Sequence, residues 1–102
     1  MIVYNVTVNI DMDAHEEWLA WMKEVHMPDV MSTGQFVESR LHRVLAADEG
    51  GLTYAVQYTA PDMAHYERYR DEHAARLQGD AHARFGGRFV AFRTLLEVVH
   101  QR

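Results

Sequence analysis

From Ile2 to Ile10 the chain alternates without a break, with Ile2, Tyr4, Val6, Val8 and Ile10 on one side and Asn5, Thr7 and Asn9 on the other. Successive strand side chains point to opposite faces, so a period of two over nine residues predicts a β-strand with one apolar face. That face is stable only under a second layer, and the covering element comes next in the chain. Asp13 and Glu16 have the spacing of a capping box, and Ala14, Trp18, Trp21, Met22 and Val25 recur at three- and four-residue intervals. This predicts a helix whose apolar stripe lies on the strand. Pro28 ends or kinks it, and a shorter helical piece continues to Ser32 with Gly34 as a left-handed cap.

The period returns to two from Phe36 to Ala46, with Val37, Leu41 and Leu45 opposite Glu38, Arg40, His42 and Val44. Asp48-Glu49-Gly50-Gly51 supplies a turn, and Leu52 to Thr59 alternates again, setting Tyr54, Val56 and Tyr58 against Thr53, Gln57 and Thr59. The two runs read as a hairpin. Beyond Pro61, Asp62 caps a second helix with the stripe Met63, Tyr66, Tyr69, His73, Leu77, Ala81 and Phe85; Gly79 weakens it and Gly86-Gly87 ends it. Phe89 to His100 reads as a last strand, its Val90, Phe92, Leu96 and Val98 under the helices and its Arg93 and Glu97 on the other face.

The order strand, helix, strand, strand, helix, strand is the ferredoxin-like βαββαβ arrangement of the α+β class. Right-handed crossovers put both helices on one face of an antiparallel four-stranded sheet, with the first and third strands central. At 102 residues the chain is long enough for a single domain over 1–102. A domain of this size buries only about two thirds of its unfolded surface, so further burial by self-association is expected.

Charge and composition narrow the partners. Ten basic residues, nine of them Arg, face fifteen acidic ones for a formal charge of -5, and no basic cluster is present. Neither nucleic acid nor an anionic membrane is therefore expected as a partner. With no cysteine there is no disulfide framework, thiolate nucleophile or cysteine zinc site. His65 and His73 lie two helical turns apart, about 11 Å along the axis, too far to share one ion, so no metal is expected. No nucleotide-binding glycine loop calls for a cofactor. The N-terminal segment shows no basic leader or unbroken apolar run, and a cytoplasmic location is the expectation.

The sheet face away from the helices carries Asn5, Thr7 and Asn9 beside Thr53, Gln57 and Thr59. Glu38, Arg40 and His42 on one edge and Arg93 and Glu97 on the other set opposite charges where two copies of the sheet meet. This predicts a homodimer, joined face to face or edge to edge.

Four stretches carry a family resemblance: Tyr4-Asn5-Val6-Thr7-Val8-Asn9, Trp18-Leu19-Ala20-Trp21-Met22, Thr53-Tyr54-Ala55-Val56-Gln57-Tyr58, and Arg84-Phe85-Gly86 before Phe89-Val90-Ala91-Phe92-Arg93-Thr94. In order and spacing, over almost the whole chain, they resemble an uncharacterised bacterial family of roughly hundred-residue proteins, a domain of unknown function. That family resembles the dimeric α+β barrel superfamily. The superfamily's cofactor-independent monooxygenases, haem-degrading enzymes, isomerases and stress-responsive proteins imply no single reaction.

The candidate site residues fall into three groups. His73, within Tyr69-Arg70-Asp71-Glu72-His73, is similar to the Tyr, His and Pro pattern of several barrel enzymes, though Ala75 stands at the proline position. A half-buried neutral imidazole there would be the catalytic acid or base, but packing is the stronger reading because the sequence fixes no second catalytic group. His26 at the end of the first helix is expected to be favoured in its protonated form by the helix dipole. Trp21 and Tyr69, with Trp18 and Tyr66, either line an aromatic pocket or fill the core. Asn5, Gln57, Arg40 and Arg93 form a polar set suited to orienting a carbonyl-bearing or anionic ligand, or to a dimer network. A small-molecule-binding homodimer is the first functional reading. An oxygenase- or isomerase-like enzyme using His73 is the second, and a structural dimerisation module the third.

Overall fold

The computed structural model describes residues 1–45 and 50–102. The expected Asp48-Glu49 half of the hairpin turn and the Ala46 end of the second strand lie outside the described residues. Strand β1 (Ile2–Ile10) leads through a single 3-10 turn (Met12–Ala14) into helix α1 (His15–Trp21), a π-turn (Met22–His26) and helix α2 (Met27–Met31). Strands β2 (Glu38–Arg43) and β3 (Leu52–Ala60), helices α3 (Met63–Glu72) and α4 (Ala74–Phe85), and strand β4 (Phe89–Glu97) complete the chain. The sheet order is β2-β3-β1-β4, all antiparallel, which is the ferredoxin-like α+β arrangement with the first and third strands central.

β1 pairs along its whole length on both sides, Tyr4 opposite Tyr58 and Leu95, Val8 opposite Tyr54 and Ala91. Residues directly opposite share a face, so this register sorts the entire sheet. Tyr4, Val8, Ile10, Tyr54, Val56 and Tyr58 are buried under Trp18, Trp21, Met22, Val30, Tyr69, Leu77 and Phe85 from the helices. The opposite face is knit by neutral polar groups: Gln57 Nε2 donates to Asn5 Oδ1 at 3.2 Å, Asn5 Nδ2 to Thr7 Oγ1 at 3.1 Å, and Asn9 Nδ2 to Thr53 Oγ1 at 3.1 Å.

The last strand is inverted relative to the sequence expectation. Arg93 stands opposite Val6 on the helix-covered face, and Phe92 stands opposite Thr7 on the open face. Val90, Phe92 and Leu96 are accordingly exposed, by 71%, 64% and 42%. The strand is apolar at both parities, so its alternation does not choose a face. The pairing of Ile10 with Phe89 and Val8 with Ala91 does. Opposed charges from Arg93 and Glu97 therefore do not lie on the open face.

Three helical details also differ. Asp13 forms no capping box, because the chain turns earlier. The Asp11 N–H donates to the Arg88 carbonyl, the Ala14 N–H donates to the Asp11 carbonyl, and Asp13 falls inside the 3-10 turn. Around Pro28 the helix neither stops nor kinks at once but widens first: the Met27 N–H donates to the Met22 carbonyl, five residues back, before α2 starts with Pro28 in its first turn. The inserted residue rotates Val25 out of the stripe, leaving it 43% exposed. The second long helix is broken at His73 (φ −129°, ψ −31°), and α3 and α4 are separate pieces. Asp62 caps α3 as expected, its carboxylate accepting from the His65 N–H at 3.0 Å.

The two glycines entering β3 make unequal demands. Both have positive φ, 87° at Gly50 and 70° at Gly51. A Cβ at Gly51 would also lie 2.6 Å from Asn9 Oδ1 and from the Ile10 carbonyl oxygen, whereas one at Gly50 meets nothing within 4 Å. Gly50→Ala is expected to cost about 1 kcal/mol from the left-handed backbone alone. Gly51→Ala is expected to cost about 3 kcal/mol in urea denaturation, and equal losses would remove the packing argument.

Candidate functional site

A cleft opens between the sheet and the helices along the β1–β4 side. Val6, Val8 and Ala91 form its floor, Trp18, Trp21 and Met22 one wall, and Gln78, Ala81 and His82 of α4 the other. Its volume is about 50 Å³, room for a water molecule or two. A ring-sized ligand therefore requires the α4 wall to shift. That helix is bounded by the break at His73 and by Gly86-Gly87, where Gly87 has φ 82°.

One end of the cleft is built from tyrosines. The Tyr4 ring centroid lies 5.4 Å from that of Tyr66, 5.7 Å from Tyr69 and 6.1 Å from Tyr58, because β1, α3 and β3 each present an inward position at this level. Arg93 reaches over from the edge strand and donates from Nε to the Tyr4 hydroxyl at 3.0 Å. The residue as a whole remains exposed to solvent. Burial raises the Tyr58 and Tyr69 hydroxyls above the usual phenol range, and neighbouring phenols push the same way. Burial raises Tyr66 as well, reinforced by Tyr4 and opposed by Arg70 and Arg93. These groups are un-ionised at neutral pH, so each keeps an O–H able to donate. The Tyr58 hydroxyl is buried and has no hydrogen-bond partner among the described residues.

His26 joins the cleft from the π-turn, stacked on Trp21 with ring centroids 4.8 Å apart and an interplanar angle of 25°. Burial lowers its pKa below the ordinary imidazole value and outweighs the raising influence of Asp29 and Asp80. This corrects the expectation of a protonated helix-end histidine: the helical path continues through α2, and desolvation disfavours the charged form. The unfolded chain binds this proton more readily, so the group withdraws stability as pH falls through the ordinary imidazole range.

Of the expected ligand-binding residues, Trp21, Tyr69 and Arg93 meet in the cleft. Asn5, Gln57 and Arg40 lie on the opposite sheet face, where Arg40 pairs in register with Gln57, so the sheet separates them from Arg93. His73 sits in the break between α3 and α4, its ring 6.4 Å from Tyr69 and its Nδ1 3.5 Å from an Arg76 nitrogen. It is not among the cleft-lining side chains. Tyr4, Tyr58, Gln78 and His82 were not read as site residues. Tyr4 and Tyr58 were legible as inward strand positions, and Gln78 and His82 share an i, i+4 helix flank that nothing in their spacing marks as functional.

Removing the unpartnered Tyr58 hydroxyl tests this description. An unsatisfied buried donor is unfavourable, so Tyr58→Phe is expected to be neutral or to stabilise by about 1 kcal/mol in urea denaturation. A loss of more than about 1 kcal/mol would show that the hydroxyl is bonded after all.

The fold recurs among solved proteins. HapK from Hahella chejuensis superposes with a TM-score of 0.73 at 14% identity, covering 100% of this chain and 96% of its own. A dimeric ferredoxin-like protein from an uncultured marine organism gives 0.75 at 10% identity, with 99% and 96% covered. SnoaB, a cofactor-independent oxygenase from Streptomyces nogalater, gives 0.69 at 10% identity, with 98% and 94% covered. At these identities the likeness is one of fold. No curated protein matches significantly. No helix among the described residues is long and apolar enough to cross a membrane. Residues 1–99 match the model of a domain of unknown function, DUF4286, and the chain belongs to that family.

Proposed function

We propose that this chain is a small-molecule-binding protein that works as a homodimer and takes a planar ligand with a carbonyl or anionic oxygen into the cleft between helices and sheet. One observation carries the reading: Arg93 and un-ionised tyrosines meet at one end of an aromatic cleft, with the Tyr58 hydroxyl unpartnered. Apolar walls with a few convergent polar groups characterise small-ligand sites. A guanidinium and phenolic O–H groups together suit an oxygen that bears negative charge.

A catalytic reading is favoured by a separate observation, the shared fold of the cofactor-independent oxygenase SnoaB. The groups that orient an oxygen would also steady an enolate. In that reading Arg93 holds the enolate, Asn5 is on the wrong face of the sheet to help, and a base is needed nearer than His73.

The homodimer forms through the open sheet face. Val90, Phe92 and Leu96 expose an apolar stripe beside the Asn5–Gln57 network, and a dimeric ferredoxin-like protein shares the fold. Packing two such faces together removes apolar surface from water and adds the burial a small domain lacks.

Ligand-observed NMR with benzoate and benzyl alcohol tests the cleft. Arg93→Met is expected to weaken benzoate about tenfold, the scale of a charge-assisted hydrogen bond, with little change for benzyl alcohol. Equal effects on both, or no binding of either to the unaltered protein, would leave a dimerisation module as the better description. For the assembly, Phe92→Glu is expected to raise the dimer dissociation constant at least about tenfold in analytical ultracentrifugation, and Arg93→Met to leave it unchanged. The reverse ranking would exclude the open face.

A further inference from the structure

The π-turn at Met22–His26 places a side chain that a regular helix would not. In an α-helix Val25 would follow Trp21 on the buried stripe and residue 26 would point away; with one residue inserted, position 26 comes directly beneath position 21. Val25 is exposed as a result, and the His26 imidazole lies against Trp21 facing the cleft that Arg93 also enters. An apolar side chain leaves the covered stripe and a titratable one takes its place, an exchange that core packing alone does not favour.

We infer that His26 is the proton acceptor of this cleft, and that the ligand is a conjugated phenol or enol with its O–H at His26 and an electron-withdrawing carbonyl-type group at Arg93. This rests on the ligand reading above. In the step, the ligand O–H bond breaks and the proton bonds to an imidazole nitrogen. The electron pair stays on the ligand and spreads through the conjugated system to the oxygen at Arg93. No oxidant or other reactant is consumed.

Geometry and charge bear on the two ends of the transfer differently. Before it, burial holds His26 neutral, and because the same burial disfavours the imidazolium, the transfer relies on the ligand anion formed beside it. After it, the imidazolium lies on the Trp21 ring face and is attracted by Asp29 of α2 and Asp80 of α4. Arg93 on β4 is the opposing charge, and it is offset by the anion it holds. His82 of α4 lines the cleft from the side of the Phe89 ring.

The probe is 4-nitrophenol, which is colourless as the phenol and absorbs visible light as the phenolate. On the acid side of its own ionisation, the unaltered protein is expected to quench its tryptophan emission with the probe and raise the visible phenolate band of the bound fraction. His26→Gln is expected to keep the quenching and reduce that band at least about tenfold. Quenching without the band in the unaltered protein, or an equal band in His26→Gln, overturns the inference and leaves the ligand reading standing. No quenching in the unaltered protein overturns both. A second readout needs no variant: on the alkaline side, calorimetry in buffers of different ionisation enthalpy is expected to show one proton taken up per phenolate bound. No uptake overturns the proposal even if His26→Gln fails to fold.

Discussion

The double pairing of β1 is the constraint on which everything else rests. One nine-residue strand is hydrogen-bonded on both sides, so its register with β3 and β4 decides which of some twenty side chains face the helices. Tyr4 shows how much hangs on that choice. Facing inward, it meets Phe36, Tyr58, Tyr66 and Tyr69 and receives the Arg93 guanidinium. A slip of one residue would put Asn5 and Val3 in its place among aromatic rings, burying an amide away from its partners Thr7 and Gln57. The same register that closes the core thus assembles the polar end of the cleft.

Where one period dominated, the sequence was legible. β1, β3 and the hairpin follow from alternation, Asp62 from its capping position, and Trp21 and Tyr69 from a helical stripe. β4 was not, because Phe89, Ala91 and Leu95 at one parity compete with Val90, Phe92 and Leu96 at the other. Only pairing with a neighbour of known facing resolves such a strand. Arg93 was therefore the right residue on the wrong face. The π-turn left no separate mark because the proline after it already accounts for an irregular helix. Likewise, the orphaned Tyr58 hydroxyl depends on what stands around it in space, which no local pattern encodes.

The cleft combines two opposed requirements. Its aromatic walls serve the core of a small domain, where bulky side chains must fill the space between two layers. Its polar end keeps un-ionised phenols and a guanidinium close together, in surroundings that disfavour charge on the phenols. The α4 wall serves both: Leu77 and Phe85 anchor it in the core, while Gln78 and His82 line the cleft between the break at His73 and the glycine pair.

The placement of Arg93 also bears on how copies of the protein avoid sticking together indefinitely. β4 is an edge strand with an apolar outer face, the kind of strand that recruits others into an open-ended ribbon. An inward-facing charge on the edge strand, bonded to Tyr4, is one of the devices that disfavour a further strand along that edge. In the proposed homodimer contact goes to the open face instead, where two copies would cover each other and assembly would stop.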